Sequence, residues 1–85
     1  MKYEIIKGIN PFDTLQSFIT MDLQHIHDLP DFKAFMERSY AKTPWQTPLI
    51  KTHKNKLIIG SHDDMATTYL IDAYLGDKQF DNEQF

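Results

Sequence analysis

The chain has no cysteine among its 85 residues. That removes disulfides, thiolate metal sites and thiol nucleophiles together, and small secreted domains ordinarily lean on disulfides. Glycine is scarce as well. Gly8, Gly60 and Gly76 stand alone, so no clustered glycine loop is present to wrap a nucleotide phosphate. No run of about 18 apolar residues occurs, so no segment is patterned to span a membrane as a helix. Residues 1–10 alternate charged and apolar types and lack the apolar run of a secretory leader. The cytoplasm is the expected setting.

What is present is ordinary for a folded chain. Hydrophobic residues make up 41% and aromatics 13%, enough apolar surface to drive collapse. A chain of this length makes one domain with a small core, and dimerisation is a natural way to add buried surface. The domain is expected over 1–76, with an acidic, frayed tail over 77–85.

Charge is unevenly laid out. The net charge is −3, but residues 48–60 carry Lys51, Lys54 and Lys56 with no acid, whereas residues 61–85 set Lys78 against six carboxylates. Such asymmetry governs partners rather than fold.

Tyr3-Glu4-Ile5-Ile6-Lys7 is rich in strand formers and closed by Gly8, and predicts a first strand. Asn10 and Pro11 offer an N-cap and a first helical residue. Phe12, Leu15, Ile19, Leu23 and Ile26 then recur at steps of three and four, predicting a helix from Pro11 to Ile26. After a break at Pro30, Phe32, Phe35, Met36 and Tyr40 predict a second helix ending near Lys42, ahead of Pro44. Leu49–Thr52 and Leu57–Ile59 read as a β-hairpin turning at residues 53–56. Ser61 as N-cap, acids at 63 and 64, and an apolar face of Met65, Ala66, Tyr69, Leu70, Ala73 and Tyr74 predict a last helix over 62–75, stopped by Gly76. The expected fold is α+β in two layers, in the order β-α-α-β-β-α, with a three-stranded antiparallel sheet covered by helices.

Several constellations invite chemical readings. His25-Ile26-His27-Asp28 holds metal-ligand types, but residues two apart point to opposite sides of a helix. Only His25 and Asp28 are suitably spaced, and a closed site needs a distant partner such as His62 or Asp63. Ser61-His62-Asp63 contains the residue types of a catalytic triad. Adjacency in sequence does not make that geometry, and capping explains the serine and the acids. No enzyme, metal or cofactor is expected on these grounds. The acidic last helix and tail could imitate nucleic acid, although a solvated face explains the same charge.

The basic hairpin is more informative. Lys51, His53, Lys54 and Lys56 surround its turn. The order strand–helix–helix–strand–strand resembles the later part of a winged-helix domain, which implies a recognition helix presenting Lys33, Arg38 and Lys42 to DNA. Asp31 and Glu37 on that helix, and the negative net charge, weigh against it. Lysines beside a hairpin also blunt its edge against aggregation. Trp45 lies between two prolines, either as a ring closing the bottom of the core or as an anchor for a partner.

The reading the sequence supports best is a non-enzymatic protein-interaction module: an adaptor, inhibitor or accessory regulator. Trp45, Lys51, His53, Lys54 and Lys56 are its expected partner-binding residues. A protein is the expected partner, with a homodimer as a further form. Nucleic-acid binding through the hairpin is the alternative.

Overall fold

The computed structural model describes residues 3–7, 15 and 17–83, with 7 and 77–83 described by backbone alone. The elements are β1 (Tyr3–Lys7), β2 (Ser17–Asp22), α1 (Leu29–Ser39), β3 (Leu49–His53), β4 (Lys56–Ser61) and α2 (Asp64–Glu83), with short 3-10 turns at Leu23–His25 and Pro44–Gln46. The strands form one four-stranded sheet, antiparallel throughout, in the order β1-β2-β4-β3. The α+β class holds, but the sheet has four strands where the sequence predicts three.

The fourth strand is β2, and it replaces the second half of the helix predicted from Pro11 to Ile26. Ser17, Ile19 and Met21 are buried while Phe18, Thr20 and Asp22 are only half-buried, an alternation of period two. Leu15, Ile19 and Leu23 also happen to fall four apart, so the same residues satisfy both periods. Pairing on both sides, to β1 and to β4, decides for the strand. The predicted cap at Asn10, Pro11 lies outside the described residues.

The second predicted helix forms as α1, and it ends at Ser39 rather than Lys42. Asp28 caps it, its carboxylate accepting from Asp31 N at 3.0 Å. Phe32 and Met36 are fully buried on its inner face. The hairpin also forms, longer than expected, with His53 opposite Lys56. Lys54 in its turn has φ 57°, a left-handed backbone that glycine or asparagine adopts at lower cost.

The last helix differs at both ends from its sequence reading. Ser61 is the final residue of β4, and Asp63 takes the capping role, its Oδ1 accepting from Ala66 N at 3.2 Å. The backbone passes through Gly76 without stopping and stays helical to Glu83, across the segment expected to be a frayed tail. An interior glycine costs only about 1 kcal/mol, which neighbouring turns can carry.

Both helices pack on one face of the sheet, with α2 toward β1 and α1 toward β3. Tyr3 Oη donates to Asp72 Oδ1 at 2.9 Å, and α1 flanks a groove with β3. Ile19, Met21, Leu57 and Ile59 from the two central strands meet Phe32, Met36, Ile71 and Tyr74 in the core. The buried stripe of α2 runs through Thr67, Ile71 and Tyr74, while Met65 and Tyr69, expected in the core, are 81% and 73% exposed. Thr67 takes the inner position because it has polar partners there. Its hydroxyl accepts from Ser61 Oγ at 2.8 Å and shares a hydrogen bond with Tyr40 Oη at 3.1 Å. Buried hydroxyls so paired avoid a desolvation penalty of about 1–3 kcal/mol each. Ser17 Oγ, opposite Ser61, is buried and finds no partner among the described residues.

Tyr74 joins the two helices. Its ring meets Phe32 edge-on, 5.0 Å between centroids, and its hydroxyl donates to Asp31 Oδ2 at 2.7 Å. Burial, then the hydrogen bond and charge of Asp31, push the phenol up to about 12.

Candidate functional site: the open face of the sheet

A strand shows alternate residues to each face, so the register fixes what lies opposite the helices. Ile6, Phe18, Gly60 and Leu49 form one cross-strand row on that face, and Glu4, Thr20, Ile58 and Lys51 form the next. Asp22, Lys56 and His53 form a third, at the hairpin end. Neither α1 nor α2 covers this face. It grades from apolar to charged over three rows.

The apolar row is half covered. Leu15 lies over Gly60, where an added Cβ would stand 3.0 Å from Leu15 Cδ1. Ile6 and Leu49 each remain 54% exposed. At the charged end an open cleft of about 610 Å3 is lined by Glu4, Thr20, Asp22, His25, His53 and Lys56, among others. Lys56 Nζ donates to Asp22 Oδ1 at 2.6 Å. That bond holds the Asp22 carboxyl below its usual range and raises the Lys56 ammonium. The pair thus neutralises one lysine of the hairpin. Lys51 and Lys54 have no carboxylate partner among the described residues.

The expected binding residues do not form one cluster. Trp45 is 70% exposed on the turn before β3, so its ring does not close the core. Lys54 sits beyond the other end of β3, roughly 13 Å or more away at the rise of a strand. Between them Leu49, Lys51 and His53 point to the open face, so the set makes a band along the β3 side of the sheet. Lys33, Arg38 and Lys42 are exposed. A single α-helix separates β2 from β3, so the helix pair that a winged-helix arrangement requires is not formed among the described residues.

The other constellations separate. Ser61 is fully buried and hydrogen-bonded to Thr67, while Asp63 caps α2 and Asp28 caps α1. Among the described residues no three histidine or carboxylate side chains gather as a metal site. No described helix is long and apolar enough to cross a membrane.

Sequence reasoning missed the open face because it missed β2, which carries Phe18, Thr20 and Asp22 onto it. The alternation over residues 17–22 was the available signal. The chain matches no protein family, no curated protein and no solved structure.

Proposed function

We propose that this protein is a protein-interaction module that docks an acidic partner along the β3 side of its open sheet face. The carrying observation is Trp45, a large aromatic ring left 70% exposed at one end of that band. Tryptophan is enriched among residues that carry binding energy, because it brings large contact area with few rotors to freeze. Leu49 extends the apolar contact, and Lys51 and Lys54, without a carboxylate partner among the described residues, supply positive potential that steers a partner of opposite sign. The backbone of Lys54 supports the same reading. A lysine held at φ 57° costs roughly 1–2 kcal/mol, and side chains kept at such positions often serve a site.

The test uses the single tryptophan as reporter. The full chain is titrated with an acidic peptide library and, in parallel, with random-sequence duplex DNA at low salt. Binding of acidic peptides with a change in Trp45 fluorescence is expected. Trp45→Ala should weaken it by about tenfold or more while leaving thermal unfolding in place. DNA binding without peptide binding would transfer the band to the nucleic-acid reading. Silence in both titrations would end the proposal.

A further inference from the structure

The opposite edge of the sheet has a different character. The two-residue turn at 54 and 55 closes on the pair His53–Lys56, which fixes the hydrogen-bonding alternation of the hairpin. Lys56, Ile58 and Gly60 then bond toward β3, and Leu57, Ile59 and Ser61 toward β2. The bond from Leu23 N to Asn55 O, 2.8 Å, fits the same alternation. Carried across β2, it pairs Thr20 with Glu4 and Phe18 with Ile6. The main-chain groups of Tyr3, Ile5 and Lys7 are therefore turned outward along β1, with no proline among them.

Among the described residues no strand pairs with this edge, and apolar side chains flank it. Ile5 is 41% exposed on the helix side of the sheet. Met65 and Tyr69 stand seven and three residues before Asp72 on one stripe of α2, and Asp72 is bonded to Tyr3. That stripe follows the edge of β1. At about 3.4 Å per strand residue and 1.5 Å per helix residue, the level of Ile5 falls roughly midway between Met65 and Tyr69.

We propose that β1 pairs antiparallel with β1 of a second copy of this chain, giving a two-fold dimer with a continuous eight-stranded sheet. The two-fold axis is normal to the sheet and passes beside Ile5. Ile5 meets Ile5, and the exposed Tyr69 of each copy meets Met65 of the other, a favourable sulfur–aromatic contact. Because Asp72 of α2 is bonded to Tyr3 of β1, joining the two β1 edges brings the two α2 helices side by side on one face of the dimer. A second copy is the fitting occupant because one patch supplies both halves of every contact: strand edge to strand edge, and the Met65–Tyr69 stripe to its own copy.

Sedimentation equilibrium of the full chain tests this, and a dimer is expected. Ile5→Pro removes only an outward N–H, so it should raise the dimer dissociation constant by about 30-fold or more without breaking the β1–β2 ladder. Tyr69→Lys, at an exposed helix position, should do the same in a chain that folds normally. Ile5→Cys introduces the only thiol in the molecule. Opposed Cα atoms about 5.5 Å apart suit a disulfide, so this variant should cross-link on oxidation, whereas Thr52→Cys at the far edge should not. A wild-type chain that stays monomeric at millimolar concentration overturns the proposal. So does a dimer that ignores both Ile5→Pro and Tyr69→Lys, or an Ile5→Cys chain that fails to cross-link.

Discussion

The two edges of the sheet solve the same physical problem differently. Each leaves main-chain donors and acceptors without a neighbour, an invitation to pair with another strand. Along β3 the outward groups belong to Ile50 and Thr52 only, because Pro48 bounds them on one side and the turn on the other. Lys51 and Lys54 add charge. Along β1 the outward groups run over Tyr3, Ile5 and Lys7, and Ile5, Ile6, Tyr69 and Met65 leave apolar surface beside them. One edge is short and guarded; the other is open and apolar. The lesson is that the same lysines near β3 can protect an edge and serve the proposed binding band, while the more apolar edge along β1 is the one proposed to pair with a second copy.

The sharpest test of this contrast is a pair of prolines on neighbouring residues of β3. The N–H of Lys51 bonds to Ile58, whereas that of Thr52 points outward. Lys51→Pro is expected to lower stability in urea by about 2 kcal/mol or more, and Thr52→Pro by less than about 1 kcal/mol. Equal losses would break the assigned alternation, and with it the choice of free groups on β1.

Each edge is also tied to the helical layer through a tyrosine hydroxyl, directly at β1 and through α1 on the β3 side. Tyr74→Phe should cost about 1 kcal/mol, since it deletes the bond to Asp31 but leaves that carboxylate in water. The pH dependence has a definite sign. The folded state holds the Tyr74 proton more firmly, at about 12 against an ordinary 10.0. The stability it contributes is complete below pH 10.0 and is lost as pH rises through about 12. Alkaline unfolding monitored by circular dichroism should therefore be steeper in the wild type than in Tyr74→Phe. Tyr3, raised by burial and by its bond to Asp72, leaves a remaining slope of the same sign.

The smallest expected effect is a gain. Lys54→Gly relieves the left-handed backbone at the turn and should raise stability by roughly 0.5–1 kcal/mol, measured by thermal unfolding. The same variant should weaken binding to acidic peptides. A lysine that can be removed without loss of binding would separate protection of this edge from the proposed recognition.

Much of this was legible in the sequence. The first strand, α1 with its proline break, the hairpin and the body of α2 all follow from local signals. What escaped was β2, since Leu15, Ile19 and Leu23 fit a helical period while Ser17, Ile19 and Met21 fit a strand, and local pattern cannot choose between them. The inner stripe of α2 escaped too. Thr67 reads as a surface residue until Ser61 and Tyr40 are brought to it, and once it turns inward Met65 and Tyr69 must turn out. Trp45 carried two readings, and its exposure removes the one in which the ring closes the core.

By itself the sequence determined where β1, α1, the hairpin and the body of α2 form and how charge is divided between the hairpin and the last helix, because propensity, capping and net charge are local properties. Only the tertiary structure decided which face of the sheet α1 and α2 leave uncovered, which lysine is neutralised by Asp22, and which strand edges stay unpaired among the described residues. Those follow from pairing between residues far apart in the chain, and no local pattern encodes which partner wins.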